Sequence, residues 1–299
     1  MSAIYAPAGD PVYTYAYLGI FVGFVVFCST LIVVFALLYY GGSFHRMQHE
    51  AVGMPESMDQ EKPLLYDELL EKAATFPVKP PSFELDGYIV KLRPLQTGDK
   101  AHDKKMARKL YDISCGKALG GFYGEKEFDA DALIWRYMPY GPYETFDDFV
   151  KERVPETDIQ RHFVVLDAAT DNPIGMVCLI NHSSKDLRVE IGSTWYCPAA
   201  QGSGANRESV YLLLRALFDM GYRRVEWRCD GFNVRSRKAA HSLGFTFEGV
   251  LRKHMIVKGS NRDTVVLAAL NGEWPGIKEM LEGKIRSSLQ AKAAAKKTN

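Results

Sequence analysis

"CDGFNVRSRKAAHSLGFTFEGVLRKHMIVKGSNRDT", Cys229–Thr264, is the stretch on which the fold turns. "RRVEWRC" leads into it and reads as a strand. Asn233 stands where that strand gives out. "NVRSRKAAHSLGF" then has the spacing of a short helix, closed by Gly244. "HMIVKG" and "DTVVLAAL" are two apolar runs around a turn, which predicts a closing hairpin. Outward from here, strand and helix signals continue to alternate. Asn206–Met220 carries apolar residues at helical spacing, and "LRVEIGSTWY" before it predicts a strand. "HFVVLDAATDNPIGMVCLIN" predicts a hairpin turning at Asp171, Asn172 and Pro173. "YIVKLRPL" predicts a strand ended by Pro94, and "DKAHDKKMARKLYDIS" a helix. The mixture predicts an α/β (α+β) three-layer domain with a mixed central sheet flanked by helices.

"CPAAQGSGANRES", Cys197–Ser209, joins one of those strands to a helix. Gly202 and Gly204 remove Cβ atoms where a backbone could approach a ligand. The first N–H groups of a helix lack internal partners and carry partial positive charge, so a phosphate suits the place. A tight corner with no ligand fits the same residues. No Gly-Lys-Ser/Thr follows, so this is not a P-loop, and a third glycine is missing for a dinucleotide fingerprint. As a surface turn it is expected to tolerate substitution with little loss of stability.

Cys229–Thr264 closely resembles the C-terminal half of the GNAT acetyltransferase superfamily, and most of all its branch of ribosomal-protein N-acetyltransferases of the RimJ and RimL type. Asn233, Ser236, Gly244 and Phe245 fall at that family's positions, and "FEGVLRKHMIVKGSNRDT" resembles the branch's next signature. "WRYMPYGPYETFDDF", Trp135–Phe149, is similar to a further segment common in the branch. The resemblance spans roughly residues 85 to 276. It implies a GNAT acyl-CoA N-acyltransferase fold, acetyl-CoA as donor, no metal, and an amine acceptor: a peptide N-terminus, an amino-acid conjugate or a small amine. It also implies that Gln201, Gly202, Ser203, Gly204, Ala205 and Asn206 cradle the pyrophosphate. Asn206 departs from the family's small residue at that position.

The same resemblance makes Asn233 a contact of the pantetheine arm and Glu190, in "VEIG", the base that takes the amine proton. A backbone N–H within Ser193–Tyr196 would polarise the thioester carbonyl. The family's acid tyrosine falls at Ala240 here, which leaves Ser236 as the hydroxyl candidate near the leaving thiolate. Thiols have pKa values near 8.5, so departure does not demand a strong acid. Asp230 would fix the turn before the helix. Arg235 and Arg237 are either contacts of the adenosine phosphate or solvated charges.

"YLGIFVGFVVFCSTLIVVFALLYY", Tyr17–Tyr40, holds no charge, and tyrosines flank both ends. It is long enough for a bilayer and predicts a single-pass transmembrane helix. Gly19 and Gly23 form a G-x-x-x-G within it. Arg46 and Lys62 lie on one side only, which puts the C-terminal domain on the cytoplasmic side, or the matrix side of the mitochondrial inner membrane. The expected organisation is an N-terminal segment (1–14), a transmembrane helix through the lipid bilayer (15–41), a linker with a short amphipathic helix (42–82), the catalytic domain (83–276) and a basic, solvated helical tail (277–299). Net charge is +1, so nucleic acid is not an expected partner. The five cysteines form no CxxC pair, which speaks against a disulfide framework. Homodimer or membrane-complex partners fit an anchored chain. The absence of the acid tyrosine leaves a rival, a catalytically inactive accessory subunit of a membrane complex, and a CoA-binding sensor without turnover shares the same site.

Overall fold

Apolar runs of strand and helix period place eight strands and their covering helices in the computed structural model, which describes residue 65 and residues 67–298. Helix α1 (Asp67–Thr75) leads into β1 (Leu85–Asp86), β2 (Val90–Pro94) and α2 (Lys100–Asp112). After a 3-10 turn (Gly121–Tyr123) and a π turn (Asp131–Trp135) come α3 (Phe146–Arg153), β3 (Arg161–Asp167), β4 (Pro173–Ser183) and β5 (Arg188–Tyr196). A 3-10 turn (Pro198–Ala200) leads to α4 (Ala205–Met220), β6 (Arg224–Asp230), α5 (Val234–Ser242), β7 (Thr246–Val257), β8 (Ser260–Leu270) and α6 (Trp274–Thr298). Helix ends follow local chemistry. Asp99 caps α2 by accepting from the N–H groups of Ala101 and His102, and Gly221 closes α4 in the left-handed region.

The sheet runs β1-β2-β3-β4-β5-β6-β8-β7. All neighbours are antiparallel except β5 and β6. In β3 and β4, Phe163–Val165 and Pro173–Leu179 are buried without alternation, so helices cover both faces there. The edge strand β7 is the opposite case, exposed along almost its whole length. It also starts earlier than the hairpin expected from "HMIVKG", because Thr246–Leu251 extends the pairing with β8.

Two expectations change here. The membrane localisation is not sustained: among the described residues no helix is long and apolar enough to cross a membrane. Tyr17–Tyr40, its G-x-x-x-G and the flanking Arg46 and Lys62 lie outside the described residues. The C-terminal helix is not solvated along its length, since Ile277, Leu281 and Ile285, one turn apart, are buried. Tyr211 Oη donates to Glu282 Oε1 at 2.7 Å and ties that helix to α4. Helix α3 had no sequence signal strong enough to separate it from the aromatic segment before it. Its start is marked by Thr145, whose hydroxyl accepts from the N–H of Asp148.

The proline-rich entry at 77–81 is docked. His182 Nε2 meets the Pro77 carbonyl at 2.9 Å, and Arg161 Nη2 donates to Pro80 O at 3.2 Å. Phe76 is buried edge-on against the Tyr222 ring, 4.7 Å between centroids.

Candidate active site

The parallel pair β5–β6 is where the sheet opens. Its ladder holds three residue pairs, Arg188–Arg224, Val189–Val225 and Glu190–Glu226. Beyond them β5 continues against β4 and β6 continues against β8, so the two strands part into a crevice. A bulge assists the parting. Register between β4 and β5 shifts from Met176–Trp195 to Cys178–Gly192, and Ser193 sits at φ 51. Alternate N–H groups of a strand point to each edge. Past Glu190 the edge of β5 that faced β6 has no strand partner, and the bracket Ser193–Tyr196 begins at this bulge. A crevice at the carboxyl ends of diverging parallel strands is a general ligand position in α/β sheets.

Helix α4 begins at the end of β5. Its N-cap is Gly204, at φ 95 and ψ −6, and no side chain caps it. Gly202 is also left-handed, at φ 76, and a Cβ there would meet no atom within 4 Å. The two glycines are thus required by backbone conformation, and the turn presents an open face with uncapped first-turn amides. Such a turn suits a pyrophosphate, and the residues present fit that group. The side chains around it are spent on the turn itself. Gln201 Nε2 donates to Leu133 O at 3.1 Å and Tyr196 O at 3.0 Å. Ser203 Oγ donates to Ala200 O at 2.7 Å and accepts from the Ala205 N–H at 3.2 Å. Ala205 is buried, and Asn206 is half-buried with its Oδ1 enclosed and lacking a hydrogen-bond partner.

Helix α5 begins at the end of β6 and is built differently. Asn233 Oδ1 accepts from the Ser236 N–H at 3.0 Å and so caps the helix. Asp230 Oδ1 accepts from the Phe232 N–H at 2.8 Å and fixes the preceding turn. Ser236 Oγ accepts from Trp227 Nε1–H at 2.9 Å. Ala240 is fully buried. Arg235, Arg237 and His241 are exposed on the helix.

Glu190 lies on the other face of the sheet. It is laterally paired with Glu226, so the two side chains point the same way, and Trp227, next along, points oppositely with Ser236 attached. The structure therefore brings Gln201–Asn206 together at one helix start and Asn233 and Ser236 at another, and it separates Glu190 from Ser236. Glu190 is 4% exposed. Burial pushes its carboxyl above the ordinary range. The hydrogen bond from Asn181 Nδ2, 2.8 Å, and the charge of Arg228 pull it down, and Glu226 adds to the rise. Arg228 Nε is 3.6 Å from Glu190, while its Nη2 is 2.8 Å from Glu226. For Glu226, burial is outweighed by the hydrogen bond from Arg224 and the charges of Arg228 and Arg224, and its carboxyl is held low. Of these two adjacent buried carboxyls, Glu226 is thus held low and Glu190 high, so Glu190 is the first to take up a proton as pH falls.

Several residues here escaped the sequence. Glu208, buried in the first turn of α4, accepts from the N–H groups of Tyr88 at 2.9 Å and Val90 at 2.8 Å and anchors the phosphate-suited turn to β2. Tyr140 Oη donates to Ser193 Oγ at 2.5 Å, at the bulge. Lys258, in the β7–β8 turn, donates to Trp135 O at 2.8 Å and closes the hairpin over the 131–145 segment. Their partners are far away in sequence, so no local pattern announces them.

Residues 120–246 match the family model described as an acetyltransferase (GNAT) domain. Over 117 residues, 39% of this chain, the sequence is 30% identical to the probable N-acetyltransferase YjcK of Bacillus subtilis (strain 168); the chain spans 65% of the length of that relative. A GCN5-related N-acetyltransferase from Brucella melitensis, known by crystal structure, is 31% identical, with a TM-score of 0.59 over 69% of this chain and 86% of that one. A probable acetyltransferase of the GNAT family from Chromobacterium violaceum is 30% identical, with a TM-score of 0.57 over 74% of this chain and all (100%) of that one.

Proposed function

This chain belongs to the GNAT family of acetyltransferases, and we propose that it moves an acetyl group from acetyl-CoA to an amine, in the manner of the RimJ and RimL branch. The observation that carries the reading is the parting of β5 and β6, with the uncapped start of α4 at its mouth and buried Glu190 beside it. Acetyl-CoA, when bound, supplies a thioester carbon on which the C–N bond forms as the C–S bond breaks, with the thiol leaving protonated. The amides at Gly202–Asn206 bind the pyrophosphate, and Gln201, Ser203 and Glu208 hold those amides in place. Glu190, as carboxylate, accepts the amine proton. A backbone N–H of β5 past the bulge faces the developing negative oxygen. Asn233 keeps its NH2 group for the donor while its oxygen caps α5. Ser236 Oγ accepts from Trp227 Nε1–H, which fixes the hydroxyl without using its own proton, and the proton for the thiol comes from that hydroxyl or from solvent. The acceptor is a peptide N-terminus, an amino-acid conjugate or a small amine.

Glu190→Gln tests the reading. kcat/KM should fall by about 10²–10³ with acetyl-CoA affinity unchanged, as for a removed general base. In the wild-type protein, activity should rise with pH through a limb above the ordinary carboxylate range, since the ionised form is the active one. The linkage runs the other way. A carboxyl with a raised folded pKa gives stability that is full below its unfolded pKa and is lost as pH rises through the folded one. The Gln variant should therefore be at least as stable as wild type at neutral pH. An unaltered kcat/KM would remove Glu190 from the mechanism.

A further inference from the structure

Arg153, the last residue of α3, is 6% exposed, and no carboxylate of the described residues lies within 4.0 Å of its nitrogens. Its guanidinium stacks on the Tyr140 ring, 3.9 Å from the centroid. Nη2 donates to Cys178 Sγ at 3.8 Å, and Nε is buried with no hydrogen-bond partner. Stacking uses the flat face of a guanidinium and leaves the in-plane N–H donors for an anion. The neighbours offer none. Burial pushes the Cys178 thiol up to about 12, so it stays neutral. Burial and the charge of Arg153 bring His162 down to about 3, so it is neutral too. Glu156 is taken by Arg161, at 2.6 Å, and by the His162 N–H, at 2.8 Å. Buried charges in proteins are as a rule paired, because an unpaired one is expensive.

The position of this cation relative to the candidate base follows from the register. Ile180 is paired with Glu190, Cys178 with Gly192 and His162 with Cys178. Two residues along a strand bring a side chain back to the same face, roughly 7 Å further on. Arg153, resting on Cys178, thus lies on the Glu190 face of the sheet, under Tyr140, whose hydroxyl is bound to Ser193 at the bulge. We propose that Arg153 is the counter-charge for a carboxylate on the acceptor, so that the preferred acceptors are amines carrying a carboxylate a few bonds away, such as short peptides with a free C-terminus. This rests on the acetyl-transfer reading for the amine and on Arg153 alone for the carboxylate.

The test uses the full chain and two probes, alanyl-alanine and its C-terminal amide, which differ only in the carboxylate. Binding is read first, as protection against thermal unfolding at matched concentration. The free acid should bind at least tenfold tighter than the amide to wild type. Arg153→Lys should lose most of that preference, and Arg153→Met all of it, with acetyl-CoA binding intact in both. Should the Met variant fail to fold, the wild-type pair and the Lys variant still decide. Turnover is read second, with a tenfold preference in kcat/KM expected for the acid. Equal binding of acid and amide, no binding of either, or a preference that survives Arg153→Lys would overturn the proposal. Tight binding of the acid without turnover would uphold the carboxylate site and count against acetyl transfer.

Discussion

Two helices start at the mouth of the same crevice, and they start in opposite ways. Helix α5 is closed by the side chain of Asn233, which satisfies the Ser236 N–H. Helix α4 starts at left-handed Gly204, which has no side chain to cap it, and only the Ala205 N–H is met by a side chain, the Ser203 hydroxyl. A capping side chain contributes about 1 kcal/mol to a helix, so leaving α4 uncapped forgoes stability that a serine or aspartate would supply. What it retains is first-turn amides beyond Ala205 that no side chain caps, an arrangement suited to phosphate. The contrast separates a helix end closed by a side chain from one left open and suited to an anion, although both sit at the end of a parallel strand.

Gly204→Val should disturb the contrast most. At φ 95 a β-branched residue is strained by roughly 1–3 kcal/mol, and its Cβ would come 3.3 Å from Ile89 Cδ1. The turn is therefore less tolerant than its surface position suggests. Thermal melting should drop measurably, and acetyl-CoA affinity by tenfold or more, about 1.4 kcal/mol, read by calorimetry. Unchanged affinity in a folded variant would make the turn a mere corner.

At the other helix, Asn233→Ala should cost about 1 kcal/mol of stability through the lost cap. Asn233→Asp keeps the cap and removes the NH2 group. It should melt like wild type and raise the KM for acetyl-CoA several-fold. If it leaves KM unaltered, Asn233 is a cap and nothing else.

Gly202→Ala sharpens the comparison with a smaller change. Its side chain meets open space, so the cost is the left-handed backbone, roughly 1 kcal/mol. Gly202→Asn should recover much of that loss, because asparagine tolerates this conformation. Donor affinity should fall with both variants if a phosphate uses that open face. The smallest effect is expected from Asn206→Ala. Its enclosed oxygen has no partner, so the variant should melt at or slightly above the wild-type temperature, with donor affinity unchanged.

Much of this contrast could be read from the chain and some could not. Gly202, Gly204 and Asn233 stand out because each fills a backbone role that few residue types can fill, and such roles are local. Most strands and their order along the chain follow from alternating or continuous apolar runs between turn residues. The same runs say nothing of register, so the parting of β5 and β6 after Glu190 was invisible, as was the placing of Glu190 and Ser236 on opposite faces. Arg153 carries no local signal, standing among the charges of "FDDFVKER". Its burial depends on Tyr140 and Cys178, one from an irregular segment and one from a strand that sequence showed only as apolar. Glu208 was hidden for the same reason, its partners being the amides of Tyr88 and Val90.

The bare edge strand β7 bears on how the protein behaves in a crowded solution. An unpaired strand rim is a template on which another chain can add a strand, and β7 shows Phe247 and Ile256 to water, the latter 86% exposed. Its register is broken twice, between Phe247 and Gly249 and between Leu251 and Met255. Arg252 and Lys253 fall inside the second break, with Lys253 in the left-handed region. Kinks and cations of this kind prevent a long straight run of free backbone groups from forming. Straightening the strand, by removing the irregularity at Lys253 and the positive charge with it, would convert a tolerated rim into a seed for aggregation while leaving the crevice untouched.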